Sequence, residues 1–152
     1  MGGGRVKPAV SAVMLGCPHD QVSRKPSGRM VPVKKIVIES KSREKARRIA
    51  ALAADTKGDS IVLLRIKGVS SVSDWIVIIS ATSSRRIRAI ADAIREGMSK
   101  EKERPLHVEG RNNPYWTLLD YGDVVVHIFH EDIRDFYGLE RLWADAPIER
   151  FE

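Results

Sequence analysis

Trp75 to Ile79 reads Trp-Ile-Val-Ile-Ile, five consecutive apolar residues rich in β-branched side chains. A strand with no polar alternation has to be covered on both faces, so this segment belongs inside a sheet with helices packed on it. The next helix is legible too. Ser83 or Ser84 can cap it, and Ile87, Ile90, Ala91, Ile94 and Met98 recur at helical spacing as one apolar stripe. Arg85, Arg86, Arg88 and Arg95 are assigned to its solvent side. Upstream, Ala46, Ile49, Ala50 and Ala53 form a similar stripe, with Ser40 or Ser42 as the expected cap and Lys57-Gly58 as the expected stop.

The remaining strands follow from composition and turn chemistry. Ile61 to Ile66 is an aliphatic run ended by Lys67-Gly68, and Pro105 to Val108 opens a short strand. Trp116 to Asp120 and Asp123 to Phe129 flank Tyr121-Gly122 and are expected to form a hairpin. Glu131 to Phe136 and a short piece through Leu139, Leu142 and Trp143 read as helical, stopped by Pro147. The strand–helix–strand unit from Trp75 to Val108 suggests a right-handed crossover. The fold class is therefore α/β, a mixed sheet flanked by helices.

Residues 1–33 differ from this body. They combine Gly2-Gly3-Gly4 and four prolines with Arg5, Lys7, Arg24, Lys25 and Arg29, and Asp20 is their only acid. No periodicity persists, and a disordered basic arm is the expectation. An organellar transit peptide, or a gene start placed too early with Met30 as initiator, are the alternatives. The domain is expected over 34–146, with 147–152 as a short tail. The chain carries 26 Lys and Arg against 20 Asp and Glu, a net charge of +6. That favours anionic surroundings such as nucleic acid or a ribosomal surface. No apolar run reaches the length of a membrane span. A single cysteine, Cys17, allows no internal disulfide.

Little in the residues suggests chemistry. His127 and His130 stand three apart at the end of a strand, which sends them to opposite faces, and no His-Glu-x-x-His or Cys pair exists. Ser80, Thr82, Ser83 and Ser84 lack the glycine pattern of a phosphate loop, so helix capping is the favoured role. Asp120 and Asp123 are three apart across a turn, and Val125 stands where a second acid would follow Asp123. That spacing does not serve a metal pair, and both carboxylates are expected to pin the turn or to face a partner. The expected protein is not an enzyme and needs no cofactor or metal. An arginine-rich helix face is usually solvated, so direct RNA contact is a minor expectation.

Most of the aromatic residues lie between Glu109 and Trp143, interleaved with charge. Glu109-Gly110, Trp116, Leu119-Asp120-Tyr121-Gly122-Asp123-Val124-Val125-Val126-His127, Arg134 and Tyr137-Gly138-Leu139-Glu140-Arg141-Leu142-Trp143 together resemble the ribosomal silencing factor (Iojap-related) family. Ser73-Asp74-Trp75-Ile76-Val77-Ile78 and Thr82-Ser83-Ser84-Arg85 extend the similarity over roughly 33–146. The family usually has glycine before Thr82-Ser83, where this sequence has Ala81. The resemblance implies a nucleotidyltransferase-like core without transferase activity. It implies binding to large-subunit ribosomal protein fourteen on the joining face, steric block of subunit joining, and lower translation under nutrient limitation. A homodimer competing with that interaction, and large-subunit assembly in organellar relatives, are also implied. The expected partner-binding residues, as contacts or direct support, are Trp116, Asp120, Tyr121, Asp123, His127, Arg134, Tyr137, Glu140 and Trp143. The cytoplasm of a bacterium is the expected location, or a mitochondrion or plastid if 1–33 is a transit peptide.

Overall fold

The computed structural model describes residues 33–151, with side chains from residue 41 onward. The basic arm expected over 1–33 lies outside the described residues except for Val33. In chain order the elements are α1 (Val33–Asp55), β1 (Asp59–Arg65), β2 (Trp75–Ala81), α2 (Ser84–Ser99), β3 (His107–Glu109), β4 (Trp116–Asp120), β5 (Val124–His130), α3 (Glu131–Tyr137), α4 (Leu139–Leu142) and β6 (Ile148–Arg150). The six strands form one mixed sheet in the order β3-β4-β5-β2-β1-β6.

Strand β2 is buried along its whole length, as its unbroken apolar run requires. It pairs antiparallel with β1 and parallel with β5, Trp75 opposite Val124 and Ile78 opposite His127. The parallel partner reached through α2 is thus β5. The expected neighbour, β3, lies at the far edge and pairs only with β4, with which it runs antiparallel. Three residues cannot bury enough side chain to hold a central position, whereas β5 supplies seven.

Helices α1 and α2 cover one face of the sheet. Ala46, Ile49, Ala50 and Ala53 from α1 meet Ile87, Ile90, Ala91, Ile94 and Met98 from α2 and the inward residues of β1, β2 and β5. Both stripes are buried as their spacing predicts. The N-cap of α2 is Ser83, whose hydroxyl accepts the Arg86 N–H at 3.1 Å. Neither Ser40 nor Ser42 starts α1, which already runs from Val33. Extending a helix adds a backbone hydrogen bond per residue, so an internal serine does not stop it. Ser42 is instead fully buried.

The stop at Lys57-Gly58 is a Schellman turn. Gly58 N–H donates to Ala53 O at 2.8 Å and Lys57 N–H to Ala54 O at 3.0 Å. Lys57, not the glycine, takes the left-handed conformation, with φ 69°. Gly58 serves close packing: a Cβ there would stand 2.9 Å from both Ala53 O and Ile79 Cγ2. Ala81, where the family pattern has glycine, is the last residue of β2, fully buried and in register with His130.

The other face of the sheet is covered only in part. Val62, Leu64, Ile66, Ile76, Ile78 and Phe129 pack against Trp143, Ala146 and the inner sides of α3 and α4. Pro147 does end the helical segment, but the tail expected after it forms β6, which pairs antiparallel with β1. Three residues are too few to show alternation, so only the available edge of β1 defines that strand. Arg43 and Arg47 on α1 close on Glu149 at 3.0 and 2.8 Å and tie β6 to the helix layer.

Candidate docking site on the sheet face

The hairpin is formed as its residues predict. Asp120 pairs with Val125, and Tyr121 N–H donates to Val124 O at 2.9 Å. The Asp120 carboxylate accepts the Gly122 N–H at 2.8 Å and pins the turn. Asp123 points to the helix layer, where Lys45 reaches it at 2.8 Å and Glu103 at 2.9 Å. Desolvation lowers the Lys45 pKa, but the two carboxylates outweigh it, and the net shift is upward. The two aspartates therefore do not converge on one point. Among the described residues no three His, Cys, Asp or Glu side chains come together as metal ligands.

Period-two alternation puts Trp116, Leu118 and Asp120 of β4 and Val125, His127 and Phe129 of β5 on the face opposite α1 and α2. Trp116 lies opposite Phe129 and diagonal to His127. Its indole Nε1–H donates to His127 Nδ1 at 3.2 Å, and the two rings stack at 6.2 Å and 29°. His127 stacks on Phe129 at 5.7 Å, Phe129 on Tyr137 at 5.3 Å, and Phe136 meets Tyr137 edge-on at 5.6 Å. The result is a continuous ladder of rings from β4 to α3. Phe129 anchors it in the core, while Trp116 and Tyr137 are half-buried and Phe136 is 60% exposed. Cover from α3 and α4 stops at β5. Beyond it, Leu118 is half-buried, and His107 and Glu109 on β3 are exposed.

His127 must be neutral to make this ladder. Its Nδ1 accepts from Trp116, so the proton sits on Nε2. Burial pushes its pKa down from 6.5 to about 4. Between those values the unfolded chain binds more protons than the folded one. The stability contributed by neutral His127 is therefore complete above about pH 6.5 and is lost as pH falls toward 4. Thermal midpoints recorded from pH 7.5 to 4.5 should fall, and His127→Phe should flatten part of that slope. An identical slope in the variant would show that other groups carry the acid sensitivity.

Four of the nine expected residues, Trp116, Asp120, His127 and Tyr137, lie on this face with an accessible edge. Three lie beneath it. The Arg134 guanidinium is buried and makes a two-pronged bond to Glu140, at 3.1 and 3.0 Å. It also donates to Ser60 O at 2.6 Å and Ser80 Oγ at 2.7 Å. That network joins α3 to β1, β2 and α4. Trp143 is 4% exposed and packs in the core under α4, so it supports the face from below. Tyr121 and Asp123 fall outside the ladder: Tyr121 is buried in the α1–α2 core, where desolvation pushes its phenol up to about 12. Phe136 and Leu118 join the site without having been singled out. Phe136 stands next to Tyr137, and Leu118 lies between Trp116 and Asp120 on the same strand face, a pattern the residues do carry.

Gly110, with φ +73°, lets the β3–β4 loop cross against Trp116, whose carbonyl oxygen a Cβ there would strike. The loop is further fixed by Thr117 Oγ1–H, which donates to Gly110 O at 3.1 Å.

The family profile described as ribosomal silencing factor during starvation matches residues 39–152. The chain belongs to the ribosomal silencing factor family. A ribosomal silencing factor of Bacillus subtilis is 40% identical over 102 residues, 66% of this chain and 86% of that one. The chloroplastic Iojap protein of Zea mays is 35% identical over 102 residues, covering 66% of this chain and 44% of that one. Solved structures agree. A protein from Bacillus halodurans superposes with a TM-score of 0.64 at 32% identity, over 72% of this chain and 99% of that one. One from Chromobacterium violaceum gives 0.65 at 27%, over 67% and 85%. Membership associates the chain with translational regulation and with the ribosome. It also makes the mixed sheet with its helices the family's own architecture.

Proposed function

We propose that this silencing factor acts without catalysis, by seating its ring-lined sheet face on large-subunit ribosomal protein fourteen and obstructing the small subunit. The observation that carries the reading is the ladder from Trp116 to Phe136, rooted in the core at Phe129 and open at both ends. Rings held rigid before binding lose little entropy on contact, and tryptophan and tyrosine dominate interface energetics. Asp120 and Glu109 flank the rings and complement a basic ribosomal protein. Because the obstacle works sterically, no reacting group is required. Lys45 and the turn amide already engage Asp123 and Asp120, which supports a structural role for both carboxylates over a nucleotidyltransferase one.

The test is a gradient profile of purified subunits mixed with the purified chain. Free subunits should accumulate at the expense of joined ribosomes, and an unchanged profile at saturating protein would end this reading. The bacterial relatives favour action in a bacterial cytoplasm. The chloroplastic and mitochondrial Iojap relatives favour, as the second reading, large-subunit assembly in an organelle. Removal of residues 1–32 on import would support that second reading.

A further inference from the structure

A groove unrelated to the ring ladder runs along the outer edge of the helix layer, between α2 and edge strand β3. Two adjoining depressions of about 530 and 170 Å³ share Asp92, Arg95 and Val108. Arg88 and Arg111 line the smaller and Arg104 the larger. None of these four arginines forms an ion pair with another described residue. By contrast, Lys45, Arg43, Arg47, Arg48 and Arg134 are all paired. Residues 1–32, with five basic residues against one acid, hold +4 of the net charge of +6, so the folded body is nearly balanced and the groove is a local gathering of four guanidinium groups within it. Asp92 and Glu96 also line it, two carboxylates against four guanidinium groups.

We propose that this groove binds the sugar-phosphate backbone of RNA. Arg88 and Arg95 are seven residues apart on one helix, two turns or about 10 Å. A single phosphate cannot reach both, whereas a linear polyanion can. Guanidinium forks suit phosphate oxygens and stack on bases. Leu106 is 67% exposed beside them and offers an apolar shelf for an unstacked base. The two carboxylates repel an anion that fills the groove and favour a strand whose charges pass the arginines one at a time. Identifying this RNA as ribosomal rests on the ribosome-docking reading above; the RNA-binding claim does not. Because β3 is the sheet edge beside both surfaces, a protein on the ring face and RNA in the groove can be held at once.

The experiment is fluorescence anisotropy of a labelled twelve-nucleotide oligouridine RNA with the full chain, at several salt concentrations. Arg95→Gln/Arg111→Gln is compared with Arg85→Gln/Arg150→Gln, which removes the same charge outside the groove. The groove variant should bind at least tenfold more weakly near 0.1 M salt. Its log–log salt slope should be shallower by roughly one to one and a half, given about 0.7 per single-strand phosphate contact. The control should change less than twofold. Equal losses in both variants, or none in the groove variant, would overturn the proposal and assign RNA binding to overall charge or to the basic residues before 33. An oligoglutamate peptide that binds as tightly, with the same dependence on Arg95 and Arg111, would overturn it in favour of an acidic protein partner. Trp116→Ala should leave RNA binding intact, so loss of the joining block and loss of RNA binding are separable failures.

Discussion

Trp116→Ala should weaken association with the large subunit by about 30-fold or more while leaving the chain folded. A tryptophan at the centre of a rigid contact commonly contributes 2 kcal/mol or more, and 1.4 kcal/mol is tenfold in affinity. Two features raise the expectation here. The indole is oriented before binding by its bond to His127 Nδ1 and by stacking on the same ring. Removing it also frees His127, the next rung, from its only hydrogen-bonded neighbour in the ladder. Trp116 is half-buried at the rim of the sheet, so the fold should survive, with a circular dichroism spectrum like that of the parent. The affinity is measured by co-sedimentation with large subunits across a concentration series. Parent-like binding by a folded variant would move the docking surface away from the ladder. Trp116→Phe should recover part of the affinity through ring area but not the hydrogen bond, separating the two contributions.

Arg134→Leu is expected to destabilise the chain on the order of 3 kcal/mol, a fall of roughly 10 °C in thermal midpoint. Leucine fills part of the volume but makes none of the four hydrogen bonds. Ser60 O and Ser80 Oγ then lose their donor, and Glu140 loses its counter-charge. Glu140 keeps some solvent access, with 32% of its side chain exposed, which puts the cost at the lower end for a broken buried pair. Arg134→Lys should rescue little, because an ammonium cannot reproduce the fork that meets both Glu140 oxygens. Glu140→Gln should cost clearly less than Arg134→Leu, since the serine contacts remain. A midpoint within two degrees of the parent for Arg134→Leu would mean that α3 is held by its apolar contacts alone. Since α3 carries Tyr137 and Phe136, the same variant should also lower affinity for the large subunit.

The contrast between these two residues shows how far the amino-acid order reaches into the site. Both were legible as members of a charged, aromatic segment, and family resemblance marked both. Their different roles were not legible. Trp116 and Trp143 have similar surroundings in sequence, yet one is half-buried on an open sheet face and the other is sealed under α4. Tyr121 and Tyr137 divide in the same way, one to the α1–α2 core and one to the ladder. What separates each pair is which other element covers the ring, and that element is distant in the chain. Asp120 is different: its hold on Gly122 spans two residues, so the turn chemistry predicted it.

Local order therefore determined most of the elements, β6 and the start of α1 excepted. The stripes of α1 and α2, the buried run of β2, the hairpin turn and the Ser83 cap all depend on residues within a few positions of each other, where steric preference and side-chain period act directly. Tertiary structure alone decided that β2 takes β5 as its parallel partner and leaves β3 at the edge. It decided that β1 still had an edge for Ile148–Arg150 to join, and that Arg134 turns inward to Ser60 and Ser80. Each of these is settled by competition among distant segments for buried area and hydrogen-bond partners, and no local pattern encodes which segment wins.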